Sequence, residues 1–194
     1  MKQKASKEVP TIDELKAELA RVRYKHRYHT VLRSTIYTLI TVAAVAVLVA
    51  TLWLPVLQIY GNSMAPTLQD GEILATVKTS DFKQGDILSF YYNNKILVKR
   101  VIACSGDWVD MDEDGNVYVN EILLEESYLE EKGFGDCDIE LPFQVPDGKL
   151  FVMGDHRTTS IDSRNTAVGC VSQEQIVGKI VFRVWPLKRF GAVD

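Results

Sequence analysis

At 194 residues the chain has room for one domain and one appended segment. Its composition, 46% hydrophobic and 25% charged, is that of a globular protein and excludes a low-complexity chain. Three cysteines, an odd number with no Cys-x-x-Cys pair, exclude a closed disulfide framework and argue against a zinc site, and the net charge of −4 conceals a strong asymmetry along the chain.

The first nine residues read as disordered. Thr11-Ile12-Asp13-Glu14 fits a capping box, with Thr11 as N-cap and Glu14 at the third helical position. Ile12, Leu15, Leu19 and Val22 then recur at helical spacing, so 11–30 is expected to form a short amphipathic helix. From Ser34 to Leu54 no residue is charged, and Pro55 ends the run. At 1.5 Å per residue this segment is about 31 Å long, enough for a bilayer core of roughly 30 Å. A buried core helix rarely runs so long without a charge. A cleaved signal peptide has a shorter apolar core and a small-residue exit, whereas this run leaves through Leu52, Trp53, Leu54 and Pro55. The expectation is an uncleaved anchor with Trp53 at the interface.

Residues 1–33 carry nine Lys/Arg and four Asp/Glu, a net of +5, against −9 for the rest. Arg21, Arg23, Lys25, Arg27 and Arg33 crowd the entrance to the apolar run. Beside such a span, they read as topology and lipid-contact signals rather than as a nucleic-acid patch. The positive-inside rule puts 1–33 in the cytoplasm and 56–194 outside, in a cell membrane crossed once.

After Pro55 the pattern changes to short strands. Residues 72–77, 86–92, 95–103 and 116–119 are β-rich and separated by turn residues, and Asn93-Asn94 suggests a tight hairpin. Residues 112–116 form an acidic turn that lacks the spaced ligands of a calcium loop, so no metal and no cofactor is expected. Residues 125–148 are acidic and glycine-dotted, as in a loop or flap. Residues 149–154 read as a buried strand entering a turn, and 179–185 as a closing strand. For Cys104, Cys137 and Cys170 the sequence favours buried or free thiols over a specific disulfide, and leaves their pairing open. The fold class is therefore mainly β, an antiparallel sheet or barrel after one N-terminal transmembrane helix.

Chemistry concentrates in four segments. Gly61-Asn62-Ser63-Met64-Ala65-Pro66-Thr67-Leu68 presents a serine in a shaped loop. Gly85-Asp86-Ile87-Leu88-Ser89-Phe90 follows. Lys99 then lies among Val98, Val101 and Ile102, where burial would favour a neutral amine able to act as a base. No histidine is well placed to serve instead, since His26 and His29 fall on the cytoplasmic side and only His156 lies outside. The fourth segment runs from Phe151 to Arg164. In this order, and after one anchor, the four resemble the boxes of bacterial type I signal peptidases, over residues 34–185.

The resemblance implies a membrane-bound serine endopeptidase that removes signal peptides from secretory preproteins after small residues. Ser63 would be the nucleophile and Lys99 the general base. Ser160 would orient the lysine amine, and Asp162 and Arg164 would form a supporting salt bridge. Asp155 and Arg157 would hold the same turn. Ile59, Met64, Leu68, Leu97 and Val98 would line small apolar pockets, and an extended substrate could add as a strand beside residues 58–62. In two places the chain departs from the family pattern. His156 stands where asparagine is usual, and Gly61 stands where some members carry a serine that stabilises the oxyanion. Backbone N–H groups, chiefly that of Ser63, would then have to do this. The competing class is a non-catalytic, membrane-anchored β-domain that binds exported proteins. Self-cleaving repressors of the same Ser–Lys type are soluble and carry a DNA-binding domain, which the anchor speaks against.

Overall fold

A computed structural model describes residues 11–53 and 55–193, with the side chains of 49–53 left aside. The expectations for residues 1–9 and for Leu54 lie outside the described residues. The chain divides into two compact units, Met1–Ala50 and Thr51–Asp194.

The first unit is helical. Helix α1 runs unbroken over Ile12–Trp53. Its N-terminus is a capping box: the Thr11 N–H donates to the Glu14 carboxylate at 2.9 Å, and the Glu14 N–H to Thr11 Oγ1 at 3.5 Å. The short helix and the anchor read separately from the sequence are one element, because no glycine or proline interrupts 12–53. Ile12, Leu15, Leu19 and Val22 are all more than half exposed, so the amphipathic face has no partner among the described residues. The helix is long and apolar enough to cross a bilayer, with a window of mean hydropathy 1.9 that buries nothing against the protein. Hydroxyls within this stretch are satisfied locally. Thr35, Thr38 and Thr41 each donate to the carbonyl four residues back, at 3.0, 2.9 and 2.8 Å.

The second unit is antiparallel β. Its strands are β1 (Val56–Gln58), β2 (Ile73–Val77), β3 (Ile87–Tyr92), β4 (Lys95–Ala103), β5 (Trp108–Met111), β6 (Val117–Val119), β7 (Ile122–Leu123), β8 (Phe143–Gln144), β9 (Lys149–Met153), β10 (Val171–Ser172), β11 (Ile176–Trp185) and β12 (Gly191–Ala192). The larger sheet has the order β1-β2-β11-β3-β4-β9-β10, with β12 also on β11. A smaller sheet has the order β7-β6-β5-β8. The fold is thus mainly antiparallel β after one N-terminal apolar helix. Asn93 and Asn94 both take positive φ, 43° and 62°, which sets Tyr92 opposite Lys95 and fixes the β3–β4 register. Residues 112–116 make the β5–β6 turn, where Asp112 Oδ1 accepts the Asn116 N–H at 2.9 Å. All three cysteines are free thiols.

Strand β4 matters most for the site. It is paired on both sides, with β3 and with β9, so Lys99 sits on an inner strand. Apolar clusters pack around it. One holds Ile59, Met64, Leu68, Leu74, Ile87, Val98 and Ile180. Another holds Leu88, Phe90, Val101, Leu150, Val152 and Val171.

Candidate active site

The loop between β1 and β2 carries Ser63. Gly61 takes φ +88°, a conformation that disfavours any side chain, which gives a physical reason for glycine here in place of serine. Its N–H donates to Asp70 Oδ1 at 2.7 Å. One helical turn follows, closed by the Leu68 N–H donating to the Met64 carbonyl at 2.8 Å. The loop is fastened from three other places. The His156 N–H donates to the Ser63 carbonyl at 3.1 Å. Thr67 Oγ1 donates to Asp155 Oδ2 at 2.5 Å. Arg183 donates to the Thr67 carbonyl at 2.6 Å and Arg189 to the same oxygen at 3.2 Å.

From β4, Lys99 reaches this loop, its Nζ 2.7 Å from Ser63 Oγ and hydrogen-bonded to it. Lys99 is only 2% exposed, and burial brings its pKa down from 10.5 to about 8. The charges of Asp162 and Asp155 oppose that shift, and Arg164 adds to it.

Lys99 differs from the other buried charges. Glu72, Arg100, Glu126, Asp155, Arg157, Asp162, Arg164 and Arg183 are also buried, and they form four ion pairs. Glu72 pairs with Arg183 at 2.9 Å, Arg100 with Asp155 at 2.8 Å, and Asp162 with Arg164 at 2.9 Å, while Arg157 lies hard against Glu126. Lys99 makes no ion pair among the described residues. An isolated buried ammonium is costly, so the amine is held towards its neutral form.

The turn after β9 lies against the Ser63 loop. The Asp162 carboxylate accepts the Gly154 N–H at 3.0 Å and two guanidinium bonds from Arg164 at 2.9 Å. Burial pushes the Asp162 pKa up, but the Arg164 hydrogen bonds and charge outweigh it, and the pKa stays below the usual value. Arg164 also donates to the Arg157 and Phe134 carbonyls at 2.9 and 2.7 Å. Gly154 packs so closely that an added Cβ would lie 2.5 Å from the Ser63 carbonyl oxygen and collide with Ser160. Ser160 itself is buried; its hydroxyl makes no well-formed hydrogen bond among the described residues, but lies near enough to the Asp162 carboxylate to help hold that pKa down. The His156 ring bonds Thr159 Oγ1 at 2.8 Å, so this departure contributes to the site through its backbone N–H.

Asp155 and Arg157 do hold this turn, but each with a partner outside it. Asp155 takes a two-armed contact from Arg100, whose guanidinium also lies 3.9 Å from the Tyr128 ring centre. Arg157 donates to the Gly154 carbonyl at 3.2 Å and to Glu126. Sequence reading missed Arg100, Glu126, Asp70 and Thr67. Arg100 had one signal, its place next to Lys99, whereas Glu126 was one acid among many. Of the five apolar candidates, Ile59, Met64, Leu68 and Val98 share one cluster. Leu97 is not brought to them and packs on the cluster of Phe90 and Val101, because neighbouring strand residues point to opposite faces.

The family described as "Signal peptidase, peptidase S26" matches residues 32–185. Signal peptidase I of Bacillus amyloliquefaciens is 41% identical over 137 residues, 65% of this chain and 73% of that protein. Signal peptidase IB of Staphylococcus aureus is 40% identical over 153 residues, 68% of this chain and 78% of that protein. The chloroplastic thylakoidal processing peptidase 1 of Arabidopsis thaliana is 37% identical over 142 residues, and the match spans 64% of this chain and 40% of the plant protein. The chain belongs to the signal peptidase family, peptidase S26. It is a serine peptidase, a hydrolase.

Proposed function

We propose that the chain removes N-terminal signal peptides from exported preproteins, with Ser63 as nucleophile and Lys99 as general base. The observation that carries this is the 2.7 Å contact between Ser63 Oγ and a buried lysine that makes no ion pair among the described residues. Neutral Lys99 accepts the Ser63 proton as Oγ attacks the scissile carbonyl. The Ser63 N–H donates to no protein carbonyl among the described residues, and is free to face the oxyanion. Lys99 then passes its proton to the departing amine, and water releases the acyl group with Lys99 again as base. Ser160 orients the amine during these transfers. Its buried hydroxyl makes no well-formed hydrogen bond among the described residues and is left beside the Asp162 carboxylate, available to the amine. Asp162 and Arg164 hold the turn that carries it.

Specificity for small residues before the cut follows from an apolar floor. Ile59, Met64, Leu68 and Val98 are closely packed, and such a floor admits a methyl group rather than a large side chain. Leu97 packs on the other cluster and, two residues before Lys99, shares the face of β4 that carries the amine, where it would border the substrate. The domains are a cytoplasmic segment 1–33, a bilayer span 34–54 and a catalytic unit 56–194 outside, supported by the charge asymmetry of the sequence.

The test uses the full chain solubilised in detergent, incubated with a secretory precursor. A single cut after an Ala-x-Ala-like sequence, absent in Ser63→Ala, is the expected result. Binding of the precursor without any cut would favour the non-catalytic reading.

A further inference from the structure

Thr67 ends the turn that carries Ser63, and it is grasped at two polar groups. Its hydroxyl donates to Asp155, which is paired with Arg100. Its carbonyl oxygen accepts from two guanidiniums, Arg183 Nη2 at 2.6 Å and Arg189 Nη2 at 3.2 Å. Arg183 comes from β11, and Arg189 from the single helical turn Leu187–Arg189 that follows it. Arg183 also reaches the Arg189 carbonyl, at 3.4 Å.

One carboxylate holds both arginines. Glu72 is buried, and it accepts Arg183 Nε at 2.9 Å on one oxygen and Arg189 Nη1 at 2.7 Å on the other. Its main chain closes the base of the same loop. The Ile59 N–H donates to the Glu72 carbonyl at 2.8 Å, and the Gly71 N–H to the Ile59 carbonyl at 3.0 Å. The base of the loop and its Ser63 turn are therefore joined through one side chain. Each arginine spans the acid and the Thr67 carbonyl, a reach that the forked guanidinium has and a point-like ammonium lacks. Glu72 balances only one of the two positive charges, and the other falls on the carbonyls of Thr67 and Pro66.

We propose that Arg183 and Arg189, bridged by Glu72, are positioning residues for the nucleophile: by fixing the Thr67 carbonyl they hold the Ser63 turn against Lys99. The proposal rests on the peptidase reading above. None of the three bonds to Ser63 or Lys99 among the described residues. The charges that act on the Lys99 amine, Asp155, Asp162 and Arg164, come instead from the turn after β9. Lys179, on the same strand as Arg183, supplies a control. Its side chain is 34% exposed, as is that of Arg189, and it too pairs with a carboxylate, that of Asp86 at 2.6 Å, away from the Ser63 turn.

The experiment follows cleavage of one precursor by the full chain in detergent as a function of pH. Arg189→Gln should lower kcat at least about tenfold and leave KM within about threefold, since a slightly displaced nucleophile loses rate rather than binding. The acid limb of its rate profile should move up by about one pH unit, because a slack turn admits water to the amine. The position of the limb is internal to each preparation, so it does not depend on how much of the variant folds. Glu72→Gln should move the limb in the same direction although it changes the net charge in the opposite sense, which separates the position of the turn from charge. Lys179→Gln should keep its rate within about twofold and its limb in place. A limb that stays in place in Arg189→Gln would overturn the proposal whatever the rate, as would an equal shift in Lys179→Gln or an opposite one in Glu72→Gln. If Glu72→Gln does not fold, the pair Arg189→Gln and Lys179→Gln decides alone. If the unmutated chain cuts no precursor, the peptidase reading falls; if it cuts and the limb is unmoved by Arg189→Gln, only the positioning role falls.

Discussion

The two units of this chain invert each other's burial. In α1 the apolar residues face outward: Leu39, Val42 and Val47 are each more than 60% exposed. In the β unit Leu68, Leu74 and Leu88 are fully buried, and nine charged side chains are buried with them. Each arrangement is unstable in the other's surroundings. An exposed apolar helix calls for a medium without water, and a buried charge calls for a partner. Eight of the nine have one. The ninth, Lys99, has no such partner among the described residues; burial instead lowers its pKa to about 8, so that it sheds its proton far more easily than an exposed lysine, as the proposed base must.

The sharpest way to break that comparison is to remove the exceptional residue. Lys99→Ala and Ser63→Ala should each lower cleavage of a precursor by at least about 10,000-fold, and the double variant should be no worse than either alone. Lys99→Met should be as inactive while no less stable than the parent near pH 7, since an apolar chain of similar length replaces a poorly solvated amine. Near-normal activity in Lys99→Ala would sink the dyad.

The paired charges should behave in the opposite way. Glu126→Gln leaves Arg157 buried without its counter-ion, and Asp155→Asn does the same to Arg100. Each should cost about 3–5 kcal/mol of stability, read by thermal or urea unfolding of the full chain in detergent. If Lys99→Met destabilised as much as Glu126→Gln, the distinction between lone and paired charges would fail.

Acidity gives a graded version of the same test. With a folded pKa of about 8, below the ordinary 10.5, Lys99 is protonated in acid and released as pH rises through 8. Cleavage should therefore fall about tenfold per pH unit below 8 and level off above it. Stability has a matching sign. Between pH 8 and 10.5 the unfolded chain still holds the proton that the folded chain has lost, so this group makes stability rise across that window. The acid limb should persist in His156→Asn, because that ring bonds Thr159. A limb that disappeared with His156 would point to a histidine base.

Much of this was legible in the residues, and what was not has a common cause. The capping box, the Asn93-Asn94 turn and the bounds of β4 depend on neighbours in sequence, and local chemistry announces them. Ser63, Lys99, Asp162 and Arg164 could be named because they fall in short ordered segments. The partners of Asp155 and Arg157 could not. Arg100 is 55 residues from Asp155 and Glu126 is 31 from Arg157, and nothing in an acidic stretch marks which carboxylate will be buried. Strands of two or three residues, such as β7, β8, β10 and β12, are too short to show alternation. That Leu97 and Val98 would pack on different clusters was also legible, since the strand period separates neighbours.

The smallest effect is expected in the helix, where polar groups are already satisfied without tertiary partners. Thr35, Thr38 and Thr41 spend their hydroxyls on their own backbone, at distances of 2.8–3.0 Å. Replacing all three by valine removes no contact to another element and leaves each carbonyl its ordinary helical donor. Valine is nearly the same shape as threonine and more apolar, so membrane retention under carbonate extraction should not weaken. Cleavage should stay within about twofold, consistent with surface substitutions worth less than about 0.5 kcal/mol. A tenfold loss would mean that one of these hydroxyls serves a partner outside the helix, and that the helix is more than an apolar surface. The contrast is then between one hydroxyl in the β unit, Ser63, whose loss is expected to abolish cleavage, and three on the helix whose joint loss is expected to be tolerated.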